Sequence, residues 1–298
     1  MNARDGCRFV LADVFTDRPF GGNALAVFPD AGGLPADVMQ AIARELNLSE
    51  SAFVQPAESS SGSFRVRIFT PAAEVPFAGH PSVGTAAVLA AEGRLGAAGR
   101  VVPFTFEEGI GLIAGSVDLD MLTTSLSISP DGFRSGIAPG AADVAAVLTL
   151  PPDAVTAVHA GSVGIRFTLA RLGSEAAVDR SVLDLEVWRR AFADSWAPQV
   201  FAYAGDERPG GTIYARMFAP GLGIAEDPAT GSAAVALAAS LTMVAPRNGS
   251  MVWAIVQGVA MGRPSRITAG AVRSDRGLVG LTLAGQTVIV GEGVIRPH

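Results

Sequence analysis

The stretch EDPATGSAAVALAAS, Glu226 to Ser240, sets two carboxylates in front of a helix that has no polar face. Asp227 suits an N-cap, Pro228 suits a first turn where its missing N–H costs nothing, and alanine-rich sequence follows, so the stretch predicts a helix starting at Asp227. From Ala233 to Leu241 every residue is apolar or small, and a helix without a polar stripe is buried on all sides. The run ends at Ala245, before Pro246 and Arg247, short of the roughly 20 residues a bilayer requires. The helix is therefore a core element. Its first turn, with Gly231 and Ser232, offers backbone N–H groups and the positive end of the helix dipole to an anion.

The same pattern occurs earlier in the chain. RIFTPAAEVPFAGHPSVGTA, Arg67 to Ala86, aligns with RMFAPGLGIAEDPATGSA, Arg216 to Ala233, when two residues are omitted from the middle of the second copy. Both begin Arg-x-Phe-x-Pro, and His80, Pro81, Gly84 and Thr85 take the places of Asp227, Pro228, Gly231 and Ser232. Copies about half a chain apart imply two similar domains, each with a strand leading through a loop into a buried helix. The first such helix is expected at about Pro81 to Glu92, closed by Gly93. Around the helices lie period-two segments such as RFVLADVF, GSFRVRIF, GIRFTLARL and MVWAIVQG, which read as strands. The expected architecture is a mixed sheet wrapped around each helix.

Composition narrows the chemistry. The 298 residues suit two domains, and 49% hydrophobic content with mean hydropathy +0.37 suits a packed globule. With 22 basic against 28 acidic residues and no basic block, nucleic acid is not an expected partner. No signal-like or spanning apolar run is seen, so no membrane association and a cytoplasmic location are expected. The single cysteine, Cys7, allows no internal disulfide. Every basic residue is Arg. Without Lys, neither a pyridoxal-phosphate Schiff base nor a Walker loop can be built. The histidines are His80, His159 and His298, and no Cys/His cluster has zinc spacing, so no metal is expected. Neither a nucleophile elbow nor a complete dinucleotide fingerprint is present, which leaves acid–base chemistry without a cofactor, or binding alone.

One carboxylate breaks its local pattern. LPADVMQAIARELNLSE, Leu34 to Glu50, reads as an amphipathic helix from about Pro35 to Leu46, with Val38, Ile42 and Leu46 on one stripe. Glu45 falls within about 20° of Val38 on the helical wheel, on the side expected to face the interior. A buried carboxylate is costly unless hydrogen-bonded or neutral, and desolvation raises its pKa toward the range of a general acid or base. The alternative is that Glu45 reaches water or an Arg. His80 and Asp227 are equally open to a structural reading, as a buried hydrogen-bonded histidine and a cap. Symmetry favours function if the two halves face each other, since both helix starts can then point into one cleft.

These residues also carry a family resemblance. DVFTDRPFGGNALAVF (Asp13 to Phe28), IARELNLSESAFV (Ile42 to Val54), the two repeat copies, QGVAMGRPSRI (Gln257 to Ile267) and VIVGEGVI (Val288 to Ile295) together resemble the PhzF-like phenazine-biosynthesis family, over most of the chain. The resemblance implies an α+β diaminopimelate-epimerase-like fold. That fold has two pseudo-symmetric domains, each a mixed β-sheet curled around a central buried helix. The domains are drawn here at 1–117 and 118–298, with the last strand free to return to the first.

The resemblance also implies a cofactor-independent isomerase that moves a proton in a small carboxylate-bearing, unsaturated amino or hydroxy acid. The glutamate of its RELNLSE motif, matched to Glu45, is the acid–base residue, and His80 and Asp227 line the site. Gly231 and Ser232 hold a substrate carboxylate, Gly79 and Asn23 contribute to substrate binding, and a homodimer is implied. Ala24 and Val256 depart from the commoner pattern of the family, in which Pro and Glu stand. Related epimerases and racemases of this fold use two cysteines, whereas here the helix starts carry His80 and Asp227, so a two-thiol racemase is excluded. A non-catalytic ligand-binding dimer and an amino-acid epimerase are the alternatives.

Overall fold

The computed structural model describes residues 6–96 and 99–296. Its chain forms two compact units, Met1–Ile128 with Ala284–His298, and Ser129–Leu283. Six α-helices occur among the described residues: α1 (Ala36–Leu46), α2 (Gly79–Ala91), α3 (Ala141–Val147), α4 (Glu175–Arg180), α5 (Leu185–Ala191) and α6 (Gly231–Val244).

In the first unit, Cys7–Val14 pairs antiparallel with Asn23–Phe28, which runs parallel to Glu50–Pro56. That strand is antiparallel to Phe64–Phe69, which in turn runs parallel to Val101–Glu108. Two further antiparallel steps add Gly111–Asp118 and Thr123–Ile128. A parallel pair needs a long crossover, and α1 and α2 supply the two required here. The last strand of the chain closes the set by lying antiparallel to the first, from Cys7↔Ile295 to Val14↔Thr287.

The second unit repeats this order of pairings. Val155–Val163 is antiparallel to Ile165–Leu172, and that strand is parallel to Gln199–Gly205 across α4 and α5. Antiparallel Thr212–Ala219 follows, then parallel Gly249–Gln257 across α6, then antiparallel Ser265–Ser274.

Each unit buries one helix. Gly79 through Ala90 of α2 are all buried, as are Gly231 through Ala239 of α6. Each helix touches several strands of its own sheet, which is how an all-apolar helix avoids exposing any face. Close approach demands a small residue: a Cβ on Gly84 would stand 2.6 Å from both Val14 and Leu25 side chains. Aromatic packing completes the first core, with Phe28 stacked on Phe53 at 4.6 Å and Phe69 edge-on to Phe53 at 5.4 Å. Trp188, Phe192 and Phe218 fill the second core.

The Arg-x-Phe element of the repeat has a single physical purpose in both copies. Arg67 holds Glu74 through two bonds of 2.7 and 2.6 Å and lies over the Phe69 ring at 5.2 Å. Arg216 holds Glu226 through two bonds of 2.8 Å and lies over Phe218 at 5.0 Å. Both forks tie the strand to the segment leading toward the buried helix.

Three boundaries differ from the sequence expectation. The first unit extends to Ile128, because Thr123–Ile128 continues the same antiparallel meander, so the division lies after 117. The second buried helix begins at Gly231, capped at Thr230, and Asp227 is the last residue of the Ile224–Asp227 strand, paired with Met217. Asp227 is thus no helix cap; its backbone belongs to the sheet, and three residues separate it from the helix. In the first copy the helix starts earlier than expected, at Gly79, and its last residue is Ala91, ahead of the left-handed Gly93 (φ 69°).

Candidate active site

In the first unit the site grows from the amino end of α2. Ala78 is extended (φ −148°), Gly79 opens the helix, and His80 follows with only 4% of its surface exposed. Its Nδ1 lies 2.8 Å from Oε2 of Glu50, whose side chain is 14% exposed. Glu50 arrives there because α1 stops at Asn47 in the left-handed region (φ 49°), and the chain turns into the buried strand Glu50–Pro56. Nε2 of His80 is buried with no hydrogen-bond partner among the described residues. An imidazole fixed through one nitrogen to a carboxylate, with the other nitrogen uncommitted, is an arrangement suited to proton handling.

Glu45 is not in this arrangement. The buried face of α1 is Met39, Ile42 and Ala43, with Val38 at its rim, so the neighbouring Glu45 projects into solvent. It lines an open surface hollow of about 380 Å³ with Asp37, Val38 and Arg296. The expectation that Glu45 faces the interior is therefore corrected, and the carboxylate that meets His80 is Glu50, the second glutamate of RELNLSE. Asn23 is 2% exposed and opens the Asn23–Phe28 strand opposite Val14.

In the second unit the corresponding position is held by Asp227, 8% exposed, whose Oδ2 accepts a bond of 2.5 Å from the Thr230 hydroxyl. Gly231 is the first residue of α6 and Ser232 the second, 7% exposed. The first turn of a fourteen-residue helix directs its N–H groups and dipole outward from these two residues.

The repeat also identifies the counterpart of Glu50. Glu50 pairs in parallel register with Leu25 and is followed by Ser51 opposite Phe69; Gln199 pairs in parallel register with Phe167 and is followed by Val200 opposite Phe218. Phe69 and Phe218 are equivalent in the repeat, so Gln199 is the residue equivalent to Glu50. It is 4% exposed, and its Oε1 accepts from the Gly221 N–H at 3.3 Å. An uncharged amide stands where a second carboxylate would be.

Cys7 is buried in the first strand, and burial pushes its thiol pKa up, away from thiolate chemistry. His159 is exposed on Val155–Val163, and His298 lies outside the described residues. Among the described residues no three His, Cys, Asp or Glu are grouped to hold a metal, and no helix is long and apolar enough to cross a membrane.

Comparison with known proteins bears on this geometry. Residues 12–293 match the PhzC-PhzF family, described as phenazine biosynthesis-like protein. An uncharacterized isomerase of Mesorhizobium japonicum is 36% identical, over 96% of this chain and 97% of its own. The trans-2,3-dihydro-3-hydroxyanthranilate isomerase of Pseudomonas aeruginosa is also 36% identical, over 96% of this chain and 98% of its own. Among solved structures, a PhzF-family protein of Bacillus anthracis superposes with TM-score 0.84 at 23% identity, over 97% of this chain and 98% of its own. A hydroxyproline epimerase of Agrobacterium vitis shares the fold, with TM-score 0.65 at 14% identity, over 97% of this chain and 90% of its own.

Proposed function

Because the chain belongs to the phenazine biosynthesis-like family and is an isomerase, we propose that it moves a proton along a small unsaturated amino or hydroxy acid with Glu50 as both base and acid. Glu50, in place of the solvent-facing Glu45, takes a proton from a carbon next to the unsaturated system. The C–H bond breaks, an O–H bond forms on Glu50, and the electron pair spreads into the conjugated acid. Glu50 then returns the proton to another carbon of the same system, so atoms and charge balance without a cofactor.

His80 orients Glu50 through Nδ1 and presents Nε2 to a polar group of the substrate. In the second unit Asp227 suits an amino or hydroxyl group, and the first turn of α6, at Gly231 and Ser232, suits a carboxylate. Gly79 and Asn23 are proposed to complete the binding surface.

The observation that carries this reading is the Glu50–His80 pair at 2.8 Å, with an amide, Gln199, at the position equivalent to Glu50 in the second unit. One base supports withdrawal and return on the same face of the substrate. An epimerase that inverts a centre needs a second base, and Asp227 is the carboxylate that would have to serve. The relatives from pseudomonads named trans-2,3-dihydro-3-hydroxyanthranilate isomerases make that compound the first substrate to test. The test is proton NMR in D₂O with this compound and related acids, on the unaltered protein and on Glu50→Gln. Isomerisation with deuterium incorporation that disappears in Glu50→Gln is expected; full activity in Glu50→Gln would overturn the assignment.

A further inference from the structure

The strand that follows each buried helix ends in a buried polar side chain and a glycine, Glu108-Gly109 in the first unit and Gln257-Gly258 in the second. Sheet register makes the two positions equivalent. Arg65 pairs in parallel with Glu107, Tyr214 with Val256 and Ala215 with Gln257, while the repeat equates Arg67 with Arg216, so Glu108 corresponds to Gln257. The glycines allow the strand ends to press against the loops. A Cβ on Gly109 would stand 2.7 Å from Pro76 Cα, and one on Gly258 2.5 Å from the Pro228 carbonyl.

Both side chains reach a hydroxyl beside a site residue. Gln257 Nε2 donates to Thr230 Oγ1 at 3.1 Å and to the Asp227 carbonyl at 2.7 Å, and its Oε1 accepts from the Thr230 N–H at 3.1 Å. Thr230 in turn donates to the Asp227 carboxylate. In the first unit Ser82 Oγ lies 2.7 Å from Glu108 Oε1 and 2.9 Å from the Ala78 carbonyl. A serine has one hydroxyl proton, and the Ala78 carbonyl and an ionised Glu108 would both require it. All these contacts are satisfied when Glu108 is protonated and donates to Ser82, which donates to Ala78. The direction of donation then matches the second unit: strand-end side chain to hydroxyl to the segment bearing the site residue.

Resting on the proposed reaction at Glu50, His80 and Asp227, we propose that Glu108 and Gln257 are a matched pair of positioning residues. Each fastens, through one hydroxyl, the segment that aims its unit's site residue, His80 or Asp227. The protonated carboxylic acid of Glu108 serves as the counterpart of an amide. Burial supports this state, pushing the Glu108 carboxyl up to about 8. The charged groups sharing its hollow do not supply it with a cation. Arg67 is engaged by Glu74 and Arg65 by Glu58, while Glu107 accepts from the backbone of Glu58 and Ser59.

The test compares Glu108→Gln, Glu108→Ala and Gln257→Ala on two readouts. The first is the imidazole signal of His80 in ¹⁵N-histidine-labelled protein, which carries only three histidines and needs no substrate. The second is kcat and KM for the isomerisation, with circular dichroism confirming the fold. Expected is that Glu108→Gln retains the His80 signal and kcat within about twofold. Glu108→Ala should shift the signal and lower kcat about tenfold, and Gln257→Ala should lower kcat comparably while leaving His80 unchanged. An unmoved His80 signal in Glu108→Ala overturns the pairing, and so does a loss in Glu108→Gln as large as in Glu108→Ala. A reaction unaffected by Glu50→Gln would instead refute the proposed function, while the His80 signal still decides the role of Glu108.

Discussion

Glu50 and Gln199 occupy the same register position in the two units, each opening the strand that runs parallel to its predecessor, yet one is a carboxylate and the other an amide. The duplicated fold is thus chemically one-sided at this position. This asymmetry suits the proposed reaction, in which a single group both removes and returns a proton.

The nearest test separates two glutamates of one motif. Glu50→Gln is expected to lower kcat by about 10²–10⁴, the range of a general acid–base contribution, while Glu45→Gln leaves kcat within about twofold. Parallel kinetics on the two variants decide it, and a larger loss in Glu45→Gln would reverse the assignment.

His80 is expected to act through its bond to Glu50. His80→Asn keeps an N–H near the Nδ1 position but removes Nε2, so kcat should fall about tenfold or more. His80→Ala, which also frees Glu50, should fall further. Equal activity in the two variants would show that the 2.8 Å contact does not matter.

Stability should depend on pH through Glu108. Its folded carboxyl is pushed up to about 8, so between the ordinary carboxylate range and that value the folded chain holds a proton the unfolded chain has lost. Stability therefore falls as pH rises through this window, by up to about 1.4 kcal/mol per pH unit. Glu108→Gln should flatten that slope and be the more stable form above about pH 7. Urea unfolding at several pH values measures both.

Arginine and lysine are not interchangeable at the repeat. Arg216 bonds Glu226 twice and also donates to the carbonyls of Asp179 at 3.0 Å and Ser181 at 2.7 Å. An ammonium cannot reproduce that fork, and Arg216→Lys should cost about 1–3 kcal/mol. Arg67 has the more exposed partner, Glu74, and Arg67→Lys should cost less. Denaturant midpoints provide the comparison.

Much of the fold was legible because it is written twice. The Arg-x-Phe-x-Pro and Pro-x-x-Gly elements are short, local and bound to backbone geometry, and the two stripe-free helices have only one way to hide. The site was legible only in part. Helical periodicity places Glu45 beside Val38, but a wheel gives the angle between side chains and not the direction of the core. Met39 and Ala43 set that direction, and a 20° neighbour of a rim residue looks outward. Glu50 has no periodic signal, since its strand is nearly all buried. Its position follows from a left-handed Asn47 and from pairing with residues far along the chain. Asp227 looked like a cap because Asp-Pro is a common helix opening, and the strand pairing that claims it is equally non-local. The protonation of Glu108 follows only from what surrounds Ser82.

The strand 287–295 lies against Cys7–Val14, so the first unit is not complete until the chain has been made as far as residue 295. During synthesis the second unit, Ser129–Leu283, has all its residues available first and can fold as a continuous piece, whereas the earlier-made unit waits with its first strand unpaired along one edge. Glu50 and His80 belong to the unit whose first strand takes its partner from residues 287–295, so the proposed proton-handling pair sits in the half of the molecule that needs the most distant stretch of sequence to close.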